Sequence, residues 1–220
     1  MKRMSVPVPL RRSDCAFTLL ELLTVVAIIV LLASLMAPML GSALRGTSVT
    51  QSTDKVIGLL SLARQAALTR SQTVEVRFYS YTNPEMPGDT GQCHGLQAFF
   101  VDDLGNYTPI TKLQTLPQNV VITTNPNLSS LLGSNNLVPS GTGTLLLPRV
   151  RTNYSYNWFR YYRSGLTSLQ NSQIPSNNVW CLTIENLSDD RANATNPPSQ
   201  YSTLTVDPYN GTVRTYRPTR

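Results

Sequence analysis

The stretch "SDCAFTLLELLTVVAIIVLLASLMAPML", residues 13–40, decides how the rest of the chain is read. From Leu19 to Leu40 it is apolar enough to cross a bilayer, since 22 residues of helix span roughly 33 Å. Yet Glu21 sits inside the run. An ionisable side chain at the centre of a membrane helix costs about 2.5–3.5 kcal/mol, which marks it for a function. Ahead of the run lies a basic leader, with Lys2, Arg3, Arg11 and Arg12 against Asp14. Positive flanks stay cytoplasmic, so this arrangement delivers the C-terminal part of the chain to the outside.

Three export readings fit such a start. A secretory signal would have a shorter apolar region and a small-residue cut after it, for which Gly41-Ser42-Ala43 offers a site. A lipoprotein needs its cysteine just after the apolar run, whereas Cys15 precedes it. The third reading cuts between Ala16 and Phe17 and keeps the helix. It explains the acid. The cut leaves Glu21 as the fifth residue of a chain beginning at Phe17. In a helical assembly, the Glu21 carboxylate of one subunit then neutralises the Phe17 ammonium of its neighbour inside an apolar bundle. The plainer alternative is that Glu21 reaches up to the headgroups, a habit better attested for long basic side chains.

The residues from Ala16 to Leu40 resemble the N-terminal segment of type IV prepilins and pseudopilins. That family has a basic leader, a small residue at the cut, an aromatic first mature residue, then Thr-Leu-x-Glu and an apolar helix. Phe17, Thr18, Leu19 and Glu21 follow that order, and Pro38 stands where many members carry a helix-kinking proline. The family usually has Gly before the cut, and Ala16 departs from it. The resemblance implies cleavage after Ala16 by a prepilin peptidase and N-methylation at Phe17. It also implies partners among other pilin or pseudopilin subunits, an inner-membrane assembly platform and membrane lipid.

Beyond Pro38 the helical period resumes. Val56, Leu60, Ala63 and Ala67 recur at spacings of four, three and four, predicting an amphipathic helix over 41–72. The period then falls to two. "TVEVRFYSY" (73–81) puts Val74, Val76 and Phe78 on one face and Glu75, Arg77 and Tyr79 on the other. Further strands are expected in "LQAFFV", around a turn at Asp102–Asn106, in "NVVIT", "NWFRYY" and "NVWCLTIE", and in a terminal hairpin turning at Asp207–Gly211. Residues 125–150 are rich in Asn, Ser, Gly and Pro, with a short helix expected near Leu128–Leu132. The fold class is therefore α+β and pilin-like. A long N-terminal helix, its first half membrane-embedded, packs on an antiparallel sheet. Four regions follow: a leader at 1–16, a transmembrane and assembly helix at 17–40, its amphipathic continuation at 41–72, and an exported sheet domain at 73–220.

This layout is similar to that of H-type minor pseudopilins. "TQSTDKVIGLLSLARQAALTRSQTVEVRFYSYTNPEMPGD" (50–89) and "LTVDPYNGTVRTYRP" (204–218) also resemble the D-type members of the Verru_Chthon cassette.

Charge and chemistry narrow the function classes. Of the net +6, half lies in the first sixteen residues, so the basic balance is poor evidence for nucleic-acid binding. No nucleophile motif, P-loop or dinucleotide fingerprint is present. His94, the one histidine, reads as an ordinary loop residue, and no enzyme activity, metal or other cofactor is expected. Asp102, Asp103 and Asn106 are oxygen donors of the kind calcium takes, but they are also ordinary turn residues, as are Asp189 and Asp190. In an oxidising compartment Cys93 and Cys181 are candidates for a disulfide, with two buried thiols as the alternative. The tail interleaves Arg214, Arg217 and Arg220 with Tyr216, a candidate DNA contact or simply a charged edge strand. The reading favoured is a structural subunit of a type IV pilus or a type II secretion-like pseudopilus. A DNA- or surface-binding minor pilin, and an anchored domain that never polymerises, are the alternatives.

Overall fold

The computed structural model describes residues 18–83, 86, 88–89, 91–133, 138–143, 153–171, 175, 179–190, 195, 198 and 200–217, with side chains for all but 35–43 and 170–171. The chain divides into two compact units, Met1–Ser42 and Ala43–Arg220.

Helix α1 runs over Leu19–Arg70 and so contributes to both units. In the first unit the described side chains of α1 are solvent-exposed on every side, Leu19 to Leu32 among them. Among the described residues no helix is long and apolar enough to cross a membrane. The expected segment, 17–40, extends past the described side chains at both ends. What is described, Leu19 to Ser34, makes roughly 24 Å of helix.

In the second unit α1 is amphipathic. Val49, Val56, Leu59, Leu60, Ala63 and Ala67 are buried at the three-and-four spacing that keeps one stripe facing inward. The helix ends at Arg70, and Ser71 takes a left-handed conformation, φ 50°, in the position usually given to glycine.

The stripe packs on one antiparallel sheet. Its strands are β1 (Thr73–Ser80), β2 (Cys93–Val101), β3 (Tyr107–Pro109), β4 (Gln114–Thr115), β5 (Val120–Ile122), β6 (Ser140–Gly143), β7 (Tyr154–Tyr161), β8 (Trp180–Asn186), β9 (Tyr201–Val206) and β10 (Val213–Tyr216). The order across the sheet is β10-β9-β8-β5-β2-β1-β7-β6, with β3 and β4 also on β2. Val74, Val76 and Phe78 of β1, Leu96 and Ala98 of β2, Phe159 of β7, Leu182 and Ile184 of β8 and Leu204 of β9 meet the helix in a single core.

Two expectations need correction, and one strand was not foreseen. The segment at Leu128–Leu132 is a series of turns and no helix forms there. Where β5 ends, this segment takes over beside β8: Leu131 N–H donates to Cys181 O, and Ser130 and Ser129 hydroxyls accept from the N–H groups of Cys181 and Thr183. Those bonds to β8 compete with the helical ladder and win. The unforeseen strand is edge strand β6, formed by "SGTG", which carries no apolar residue to signal one. The Tyr156 and Tyr154 rings lie over Gly141 and Gly143, their register partners, where any Cβ would collide with them. The second correction is that His94 belongs to β2 and is 4% exposed, so it is a buried strand residue.

Candidate functional site

The site that the sequence singles out is the start of α1. Ala16 and Phe17 lie outside the described residues. Thr18 caps the helix: its hydroxyl oxygen accepts from the Glu21 N–H at 3.2 Å, and its carbonyl accepts from the N–H groups of Glu21 and Leu22 at 3.1 Å. A threonine at the cap with glutamate three residues on is the spacing of a capping box. An acid in the first turn also faces the positive end of the helix dipole. Glu21 therefore has a local reason to be where it is, in addition to any partner in another chain. Its side chain is exposed, and Leu19, Leu20, Leu22 and Leu23 around it are exposed too. The helix start thus presents one carboxylate within an apolar surface.

Residues 11–37 match the prokaryotic N-terminal methylation motif. Over that segment the chain is similar to prepilins. No curated protein is significantly similar to it. Among solved structures, it is similar to the minor pseudopilin EpsH from the type 2 secretion system of Vibrio cholerae. The identity is 14%, over 79% of this chain and 99% of that one, with a TM-score of 0.43, too low to imply a common fold.

The remaining candidate residues are dispersed. Pro38 lies within α1, and its side chain is outside the described set. The Cys93–Cys181 disulfide is not formed; both cysteines are free and buried. Cys93 pairs with Ile122, which pairs with Ile184, so Cys181 is two strands and three residues away. That offset separates the Cα atoms by roughly 14 Å, about twice what a disulfide spans. It also puts them on opposite faces. Cys93 joins the core under the helix, whereas Cys181 Sγ contacts Leu128 O and Ser130 Oγ. Burial pushes the Cys93 thiol up to about 12.

Arg214 is exposed on β10, Arg217 reaches Asp54 of α1 at 3.2 Å, and Arg220 lies outside the described residues. The Asp102 carboxylate closes its own turn, accepting from the N–H groups of Leu104 and Asn106 and from the Asn106 side-chain amide. Among the described residues no three His, Cys, Asp or Glu side chains converge as a metal site.

Two clusters escape the sequence reading. Glu75, on the face of β1 turned away from the helix, is completely buried. Its Oε1 accepts from Arg77 Nε at 2.6 Å and its Oε2 from Arg160 Nε at 2.9 Å. The Arg77 guanidinium lies 4.2–4.8 Å from the Phe99, Tyr107 and Tyr156 rings, and Arg160 covers Trp158 at 4.5 Å. Asp89 forms the second. Burial opposes its ionisation, but the N–H groups of Asn83 and Gly91, His94 Nε2 at 2.8 Å and the Gln92 N–H outweigh burial and hold it below the usual carboxylate range. Both clusters stiffen the sheet domain. Alternation signals only that one face of β1 is apolar, and the aromatic cover over the other face comes from strands distant in sequence.

Proposed function

We propose that this protein is a non-enzymatic subunit of a type IV pilus or a type II secretion-like pseudopilus. A prepilin peptidase removes residues 1–16, and Phe17 becomes the N-methylated first residue. The apolar half of α1 then holds the subunit in the inner membrane as a single pass, with the sheet domain periplasmic or extracellular. In assembly the same helix leaves lipid for the company of neighbouring helices, and Glu21 neutralises the Phe17 ammonium of the next subunit. Other subunits, an inner-membrane assembly platform and lipid are the partners this requires.

One observation carries the reading: within the methylation motif, an exposed carboxylate stands at a capped helix start on an otherwise apolar surface. Surface of that kind needs either lipid or other helices around it. Intact mass and N-terminal sequencing of protein extracted from membranes test the first step. A chain beginning at methylated Phe17 supports it. A chain that keeps its leader, or begins near Leu44, overturns it.

A further inference from the structure

Glu185 ends β8 on the face turned away from the helix and is 1% exposed. Neither of its carboxylate oxygens has a hydrogen-bond donor among the described residues. A buried carboxylate without donors is costly, and it can lower that cost by taking up a proton. The surroundings leave few other remedies. Its register partners are Tyr201 on β9 and Val121 on β5. Among the described residues, the charged groups beside it, Asp190 and Asp189, are acids. The nearby Thr123 hydroxyl is already given to Asp190 Oδ1 at 2.8 Å. Arg45 of α1 shares with Asp190 a cleft of about 720 Å³ but does not bond Glu185.

We propose that Glu185 and Asp190 share one proton, and that this proton fastens the Leu187–Asp190 turn to the sheet as a pH-sensitive latch. Two ionised carboxylates are both acceptors and repel. With one proton between them, the Glu185 O–H donates to the Asp190 carboxylate, and the orphaned group is satisfied. Among the described residues the turn is otherwise tied to its surroundings by Leu187 N–H to Asn119 O at 2.9 Å and by the Thr123 hydroxyl to Asp190, while Asp190 N–H to Leu187 O at 3.3 Å closes the turn on itself. Two carboxylates and a hydroxyl fall well short of the six to eight oxygens calcium takes, so the geometry favours the proton.

Burial, with Asp190 adding to it, pushes Glu185 up to about 8. The unfolded chain releases the same proton near 4.3. The latch therefore contributes fully below that value, weakens as pH rises and is gone above about 8.

The test is carboxyl carbon NMR and urea unfolding of the full chain, as wild type and as Glu185→Gln, with added calcium and with chelator. Glutamine can donate to Asp190 without titrating, so the variant keeps the fastening and loses its pH response. We expect one wild-type carboxyl to titrate near 8, to vanish in Glu185→Gln and to ignore calcium. Between the unfolded value near 4.3 and about 8 the open turn should gain up to about tenfold in population per pH unit and then level off, in wild type alone. The proposal is overturned if no carboxyl titrates above pH 7. It is equally overturned if Glu185→Gln shows the same alkaline weakening, or if calcium stabilises wild type and chelator reverses it.

Discussion

Glu75 and Arg160 stand directly opposite each other on β1 and β7, and the guanidinium donates to the carboxylate at 2.9 Å. Arg77 holds the other oxygen. The side chains of the two arginines keep 16% and 29% of their surface in solvent, so their own desolvation is partial, while Glu75 is sealed. The cluster ties three neighbouring strands together through one carboxylate, because Arg77 also lies against Phe99 of β2.

Glu75→Ala should therefore cost about 1.5–3 kcal/mol, the range for lost hydrogen bonds to a charged partner. Glu75→Gln should cost less, since it keeps one acceptor for the arginines. Urea unfolding of both variants checks the order. Equal stability of wild type and Glu75→Ala would contradict the buried role.

Ser71 adopts a left-handed backbone at the C-terminal end of α1, which costs a residue with a Cβ about 1–2 kcal/mol. Ser71→Gly should remove most of that strain and stabilise the domain by up to about 1 kcal/mol, less the extra chain entropy of glycine. A shift of the unfolding midpoint to higher urea is the expected outcome.

The two cysteines of the sheet domain should behave as protected thiols. Exported protein should show the same mobility with and without reductant. An alkylating reagent should modify neither Cys93 nor Cys181 until urea is added, then both. A chain cut after Ala16 lacks Cys15, so two modified sites, against three, also report on processing.

How much of this was legible depended on how local the signal was. The start of α1 is a linear motif, in which Thr18 and Glu21 interact within one turn, so spacing alone carries it. The stripe from Val56 to Ala67 and the apolar face of β1 are periodic, and they too can be read without knowing the fold. Glu75 could not be placed, because Arg160 is 85 residues away. The alternation of β1 is equally consistent with a solvated outer face. The cysteines misled for a related reason. An oxidising compartment would permit a bridge, but register on β5 puts the thiols on opposite faces of the sheet. Edge strand β6 is built from glycines beneath tyrosine rings, and no hydrophobic pattern announces it.

Assembly of Glu21 variants tests the central claim most directly. Glutamine satisfies a capping box as glutamate does, so Glu21→Gln preserves the helix start while removing the charge. Glu21→Val removes both. Each variant should insert and lose its leader, because the leader and cut-site residues are untouched. The yield of filaments or cross-linked oligomers, at equal membrane abundance, is the measurement. The account predicts that both variants assemble poorly. An ammonium buried without its carboxylate costs on the order of 3–5 kcal/mol, more than a hundredfold in an association constant. If Glu21→Gln assembles as wild type does, Glu21 serves only to start its own helix, and the pairing with Phe17 is contradicted.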